Sequence, residues 1–110
     1  MAGTIPAGSF RIEVSATYNR DTISRELRRG MSLPPQTWGK VVVEEGELAL
    51  KLGDPPRELR AAPGQDGIIP PRTRFSCAPA GQPVLFRIEY FHEPKLNDPA
   101  QLLSQLGHHG

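Results

Sequence analysis

The chain has 110 residues, 13 basic and 12 acidic side chains, and a formal net charge of +1. That length fits one domain with a real core, and charge so evenly scattered excludes the broad basic face of a nucleic-acid binder. The 12 prolines and 11 glycines cut the chain into short elements and exclude a helical bundle.

One cysteine, Cys77, excludes an internal disulfide and fits a reducing compartment. No apolar run approaches the ~20 residues that cross a bilayer. The N-terminus lacks the basic start and apolar stretch of a secretory signal. The expectation is a cytoplasmic protein with neither a membrane nor a nucleic acid as partner.

Phe10, Ile12 and Val14 alternate with polar residues, which predicts a half-buried strand. Over Thr22–Arg29 two signals compete. Ile23 and Leu27 are four apart, with Asp21 placed to cap and Gly30 placed to stop a short helix. A β-barrel instead needs a strand there, and strand is the reading adopted. The nearby Arg25, Arg28 and Arg29 read as solvated surface charge. Pro34-Pro35 enforces a loop.

Trp38–Glu44 is the strongest strand signal, built on Val41-Val42-Val43. Glu45-Gly46 turns the chain into Glu47–Leu52, whose leucines alternate with Ala49 and Lys51, so the pair predicts a hairpin. Short strands follow at Arg57–Ala61 and Arg74–Ala78, with Ile68-Ile69-Pro70-Pro71 at an edge or rim. Val84–Phe91 is the last strong strand. One of its faces is uniformly apolar, and the other mixes charge with bulk, as a pocket wall or an oligomer face would. Asp98, Pro99 and Gly107 frame a C-terminal helix over about residues 98–106 with a leucine stripe.

Short strands with glycine-rich turns point to a sandwich or barrel. Specific residues go further. Arg25-Glu26-Leu27-Arg28-Arg29-Gly30, the run from Trp38 through Gly46 to Leu48, Pro63-Gly64, Gly67-Ile68-Ile69-Pro70-Pro71 and Phe86–Phe91 occur in order. In that order the chain resembles the small cupins related to the amino-terminal domain of tellurite resistance protein B, over about residues 20–92. The resemblance implies an all-β, single-domain, double-stranded β-helix (jelly-roll) barrel over about residues 9–92, followed by the helix.

It also implies where function would sit. Such barrels carry metal-binding histidines at two positions that here fall on Glu26 and Phe75. A carboxylate binds cations, but a phenyl ring does not, and a catalytic site needs about three protein ligands. His92 lies just past the last strand, and His108 and His109 lie in the tail. The expectation is therefore a cupin without a metal or other cofactor, binding a small anionic or carbonyl-bearing molecule in its barrel.

Trp38, Lys40, Phe75 and Arg87 are the candidate ligand-binding residues. An alternative is a metal-independent isomerase, cyclase or lyase with Glu26 or Glu89 as acid/base and Arg74 as oxyanion partner. Whether the chain is catalytic at all stays open. A further alternative, from the family name alone, is a tellurite or stress-response accessory protein. Cys77 shares a strand face with Phe75 and reads as a small buried residue. An exposed sheet edge or face of such a barrel predicts a homodimer.

Overall fold

The computed structural model describes residues 4–80 and 83–94. The helix expected over 98–106, with His108 and His109, lies outside the described residues. Strands dominate: β1 (Phe10–Val14), β2 (Tyr18–Asn19), β3 (Met31–Ser32), β4 (Thr37–Glu45), β5 (Leu48–Leu52), β6 (Arg57–Ala61), β7 (Gly67–Ile69), β8 (Arg74–Pro79) and β9 (Leu85–His92), with one helix, α1 (Arg25–Arg29). They form two antiparallel sheets. The first runs β1-β9-β4-β7, with β2 also on β9; the second runs β3-β8-β5-β6.

Alternation in the strands explains the layering. On β4, Thr37, Gly39, Val41 and Val43 are buried while Trp38, Lys40 and Val42 are half-exposed. On β9, Phe86 and Ile88 face the core together with partly buried Tyr90. From the second sheet come Leu48, Leu50, Leu52, Phe75 and Cys77. Each such side chain contributes about 1.5–3 kcal/mol by leaving water. Together they occupy the space between the sheets.

Two sequence expectations are corrected here. Thr22–Arg29 is not a strand; its second half is helix α1, and the local signals win over the barrel argument. Ser24, not Asp21, is the N-cap, its Oγ accepting from the Leu27 N–H at 3.2 Å. Gly30 ends the helix at φ 113°, and Ile23 and Leu27 enter the core as their spacing demands.

The second correction concerns β4 and β5, which do not form a hairpin. They belong to opposite sheets. Both bury one apolar face, and that is satisfied equally well when the chain crosses between layers. The crossing occurs at Gly46, φ 79°, where a Cβ would lie 1.9 Å from the Pro83 carbonyl oxygen. The true hairpin is β5–β6, closed by Gly53-Asp54-Pro55-Pro56, with Leu52 opposite Arg57. Strand β7 sits at the edge of the first sheet, as its two following prolines require.

Candidate functional site

The residues singled out from sequence separate into three places. Phe75, where the resemblance led us to expect a ligand position, is 1% exposed and packs in the core. Glu26 is exposed on α1. A buried phenyl and a solvated helix carboxylate do not fit a shared ion. Among the described residues, no group of three or more His, Cys, Asp or Glu side chains could hold one.

The outer face of the first sheet collects Trp38, Lys40, Arg87 and Glu89. Strand pairing sets Trp38 opposite Phe91, Lys40 opposite Glu89 and Val42 opposite Arg87. Trp38 therefore lines this outer face and not the interior. Its indole Nε1–H donates to Glu93 Oε1 at 3.2 Å. Glu89 is a charged residue only 6% exposed, a costly placement without partners. Arg87 Nε donates to its Oε2 at 3.0 Å, and Arg11 Nη1 lies 3.8 Å away. Arg87 Nη1 also donates to Glu44 at 2.7 Å. The hydrogen bond to Glu89, more than any other contact, pushes the Arg87 guanidinium pKa up. Lys40 Nζ lies 4.0 Å from Asp66 and 5.7 Å from the Phe91 ring centroid. Every charge named from sequence on this face already has an internal partner.

Arg74 is different. It is exposed at the start of β8, on the outer face of the second sheet. It borders a cleft of about 230 Å³ with Arg29, Gly30, Lys51, Asp54 and Ser76. The pairing of Lys51 with Ser76 and the inward burial of their neighbours Leu50, Leu52, Phe75 and Cys77 put both on the cleft floor. One contact of Arg74 is Nη2–H donating to the Arg29 carbonyl at 3.4 Å. Its guanidinium lies where a Gly30 side chain would stand, with Nη2 2.9 Å from that Cβ position. The missing side chain at Gly30 is what lets Arg74 lie there.

Among the described residues, Arg29, Lys51, Arg74 and Asp54 make no ion pair within 4.0 Å. By contrast, Arg60 reaches both Glu47 and Glu58, and Arg28 donates to the Ile23 and Arg20 carbonyls. The cleft thus gathers three cations and one carboxylate with no charge partner around a concave surface. Sequence reasoning named Arg74 but missed Arg29, Lys51 and Asp54. The available signals were the arginine cluster before Gly30 and the glycine beside Asp54.

Of the candidate catalytic residues, Glu89 belongs to the first sheet and bonds Arg87, Arg74 lies on the second, and Glu26 is exposed on α1; among the described residues neither carboxylate forms an ion pair with Arg74 within 4.0 Å. Burial pushes the Cys77 thiol up to about 12, which keeps it protonated and unreactive at neutral pH. Burial also raises Tyr90 to about 12, with smaller contributions from Tyr18, Glu13 and Cys77. His92, half-exposed at the end of β9, packs edge-on against Phe10 at 6.0 Å.

No protein-family model and no curated protein matches the chain. Solved structures do. A protein from Escherichia coli strain K12 superposes with a TM-score of 0.74 at 15% identity, covering 83% of this chain and 97% of that one. TehB from Haemophilus influenzae gives a TM-score of 0.69 at 13% identity over 77% of this chain. The Fe(II) form of HppE in complex with substrate gives 0.51 at 13% identity over 81%. The match spans 32% of TehB and 55% of HppE. At these identities the likeness speaks to architecture, and the architecture is an all-β, cupin-like double sheet.

Proposed function

We propose that this chain is a cupin-like small-molecule-binding protein that holds an anion, without a metal, in the cleft bordered by Arg29, Lys51 and Arg74. The supporting observation is the contrast in charge pairing. On the outer face of the first sheet, Arg87 donates to Glu89 and Glu44, and Lys40 lies within 4.0 Å of Asp66. Around the cleft, three cations stand without a carboxylate partner among the described residues. Guanidinium groups present several N–H donors in a planar fork suited to oxyanions. Lys51 adds a point charge, and the Ser76 hydroxyl adds a neutral donor.

This reading moves the ligand from the barrel interior to its outer wall, because the interior is filled by Phe75, Phe86, Leu50 and Ile88. It favours binding over the enzyme alternative, since neither Glu26 nor Glu89 forms an ion pair with Arg74 within 4.0 Å among the described residues. Calorimetric titration with inorganic phosphate tests it. Arg74→Ala should weaken binding about tenfold, the loss of one charge-assisted contact. Added salt should weaken it further. Phosphate affinity unaffected by Arg74→Ala and by Lys51→Ala would refute the reading.

A different observation supports a second copy of the chain as partner. Strand β1 is an edge strand exposed along its whole length, not the half-buried strand its alternation predicts, with Phe10, Ile12 and Val14 51%, 49% and 41% exposed. Such an edge invites pairing. The expected result is a dimer by sedimentation velocity that Ile12→Lys converts to monomer; a monomeric unmodified protein would contradict it.

A further inference from the structure

The cleft carries one feature that a plain anion site does not need, which is the carboxylate of Asp54. Strand order places it. Across the second sheet the order is β3, β8, β5, β6. Arg29 and Gly30 immediately precede β3, Arg74 and Ser76 lie on β8, Lys51 lies on β5, and Asp54 lies in the loop leading to β6. Cations therefore line the cleft from the β3 side across β8 and β5, and Asp54 borders it from the loop after β5.

Charges of opposite sign beside one cleft, left unpaired, leave a ligand free to satisfy both. Asp54 makes no ion pair within 4.0 Å of any described cation. The Gly53 N–H is bonded to the Arg74 carbonyl at 2.8 Å, which ties the base of the Asp54 loop to β8. The cleft has room for more than an oxyanion. Its volume is about 230 Å³. A purely anionic ligand would leave the remainder to water and face repulsion from Asp54.

From this, resting on the anion reading above, we infer that the cleft selects a short zwitterion: an oxyanion against Arg29 and Arg74, and an ammonium against Asp54. Small amino-phosphates and amino-carboxylates belong to this class. The ammonium end gives specificity, because a ligand carrying a hydroxyl there gains no charge pairing.

Calorimetric titration of the full chain with inorganic phosphate, phosphoethanolamine and glycerol phosphate separates the possibilities. Phosphoethanolamine should bind about fivefold tighter than glycerol phosphate. Asp54→Asn should abolish that preference while leaving inorganic phosphate binding equal or slightly stronger. Asp66→Asn, which removes an exposed carboxylate just before β7 of the other sheet, should leave the preference intact. Equal affinity for the two organic phosphates, or a preference that survives Asp54→Asn, overturns the inference while the anion reading stands. Failure of all three compounds to bind overturns both.

Discussion

Phe75 tests the metal-free reading. Its ring is 1% exposed in the core, at the position where the resemblance implies a histidine in other cupins. A neighbouring ladder residue, Leu52, and the half-buried Met31 pair with it from either side. Phe75→His would shrink the core and bury an imidazole among apolar groups. The expected outcome is a loss of about 3 kcal/mol or more, read as a lower midpoint in urea, with no stability gained from added zinc. A zinc-dependent rise in that midpoint would mean that ligands converge on the position after all. At this scale the sequence was informative about type and weak about direction. A strand's period of two says that Trp38, Lys40 and Val42 share a face. It does not say which face is inside when one carries Trp38 and the other Val41 and Val43. Burial of Val41 and Val43 settled that, and Trp38 went outward.

Elements were legible where they were local. The strands β4, β5, β8 and β9 lie within a residue or two of their expected limits. The failures came from non-local choices. The helix α1 was written in Ser24, Leu27 and Gly30, but the demand for another barrel strand overrode it. The crossing between β4 and β5 carries a hairpin's sequence signal, because a glycine turn between two apolar strands looks the same in either case. What decides it is the approach of Pro83, 37 residues beyond Gly46 in the chain, which no local pattern reveals. Gly46→Ala should therefore cost about 3 kcal/mol, since the new methyl meets backbone, not a yielding side chain, at a positive φ. Gly64→Ala provides the contrast. That position also has positive φ, 82°, but nothing lies within 4 Å of the added carbon, so only the backbone strain of about 1 kcal/mol is expected. Chemical denaturation of the two variants distinguishes them, and equal losses would show that the Pro83 contact is unimportant.

Across the whole molecule, the two sheets close on an apolar filling and leave chemistry to their outer walls. One wall spends its charges on itself, through Arg87, Glu89, Glu44 and Arg11. The other keeps Arg29, Lys51 and Arg74 apart around a cleft. The cupin-like architecture was legible from strand spacing and the ordered glycine and proline motifs. The cleft was not, because it joins residues from α1, β5, β8 and a loop that meet only after folding. The anion account is tested most directly by two-dimensional amide NMR during titration with inorganic phosphate. It predicts saturable shifts concentrated at Arg29, Gly30, Lys51, Gly53, Asp54 and residues 74–76, with Val41, Phe86 and Ile88 unmoved. Shifts centred on those interior strands, or none at the cleft, would contradict it.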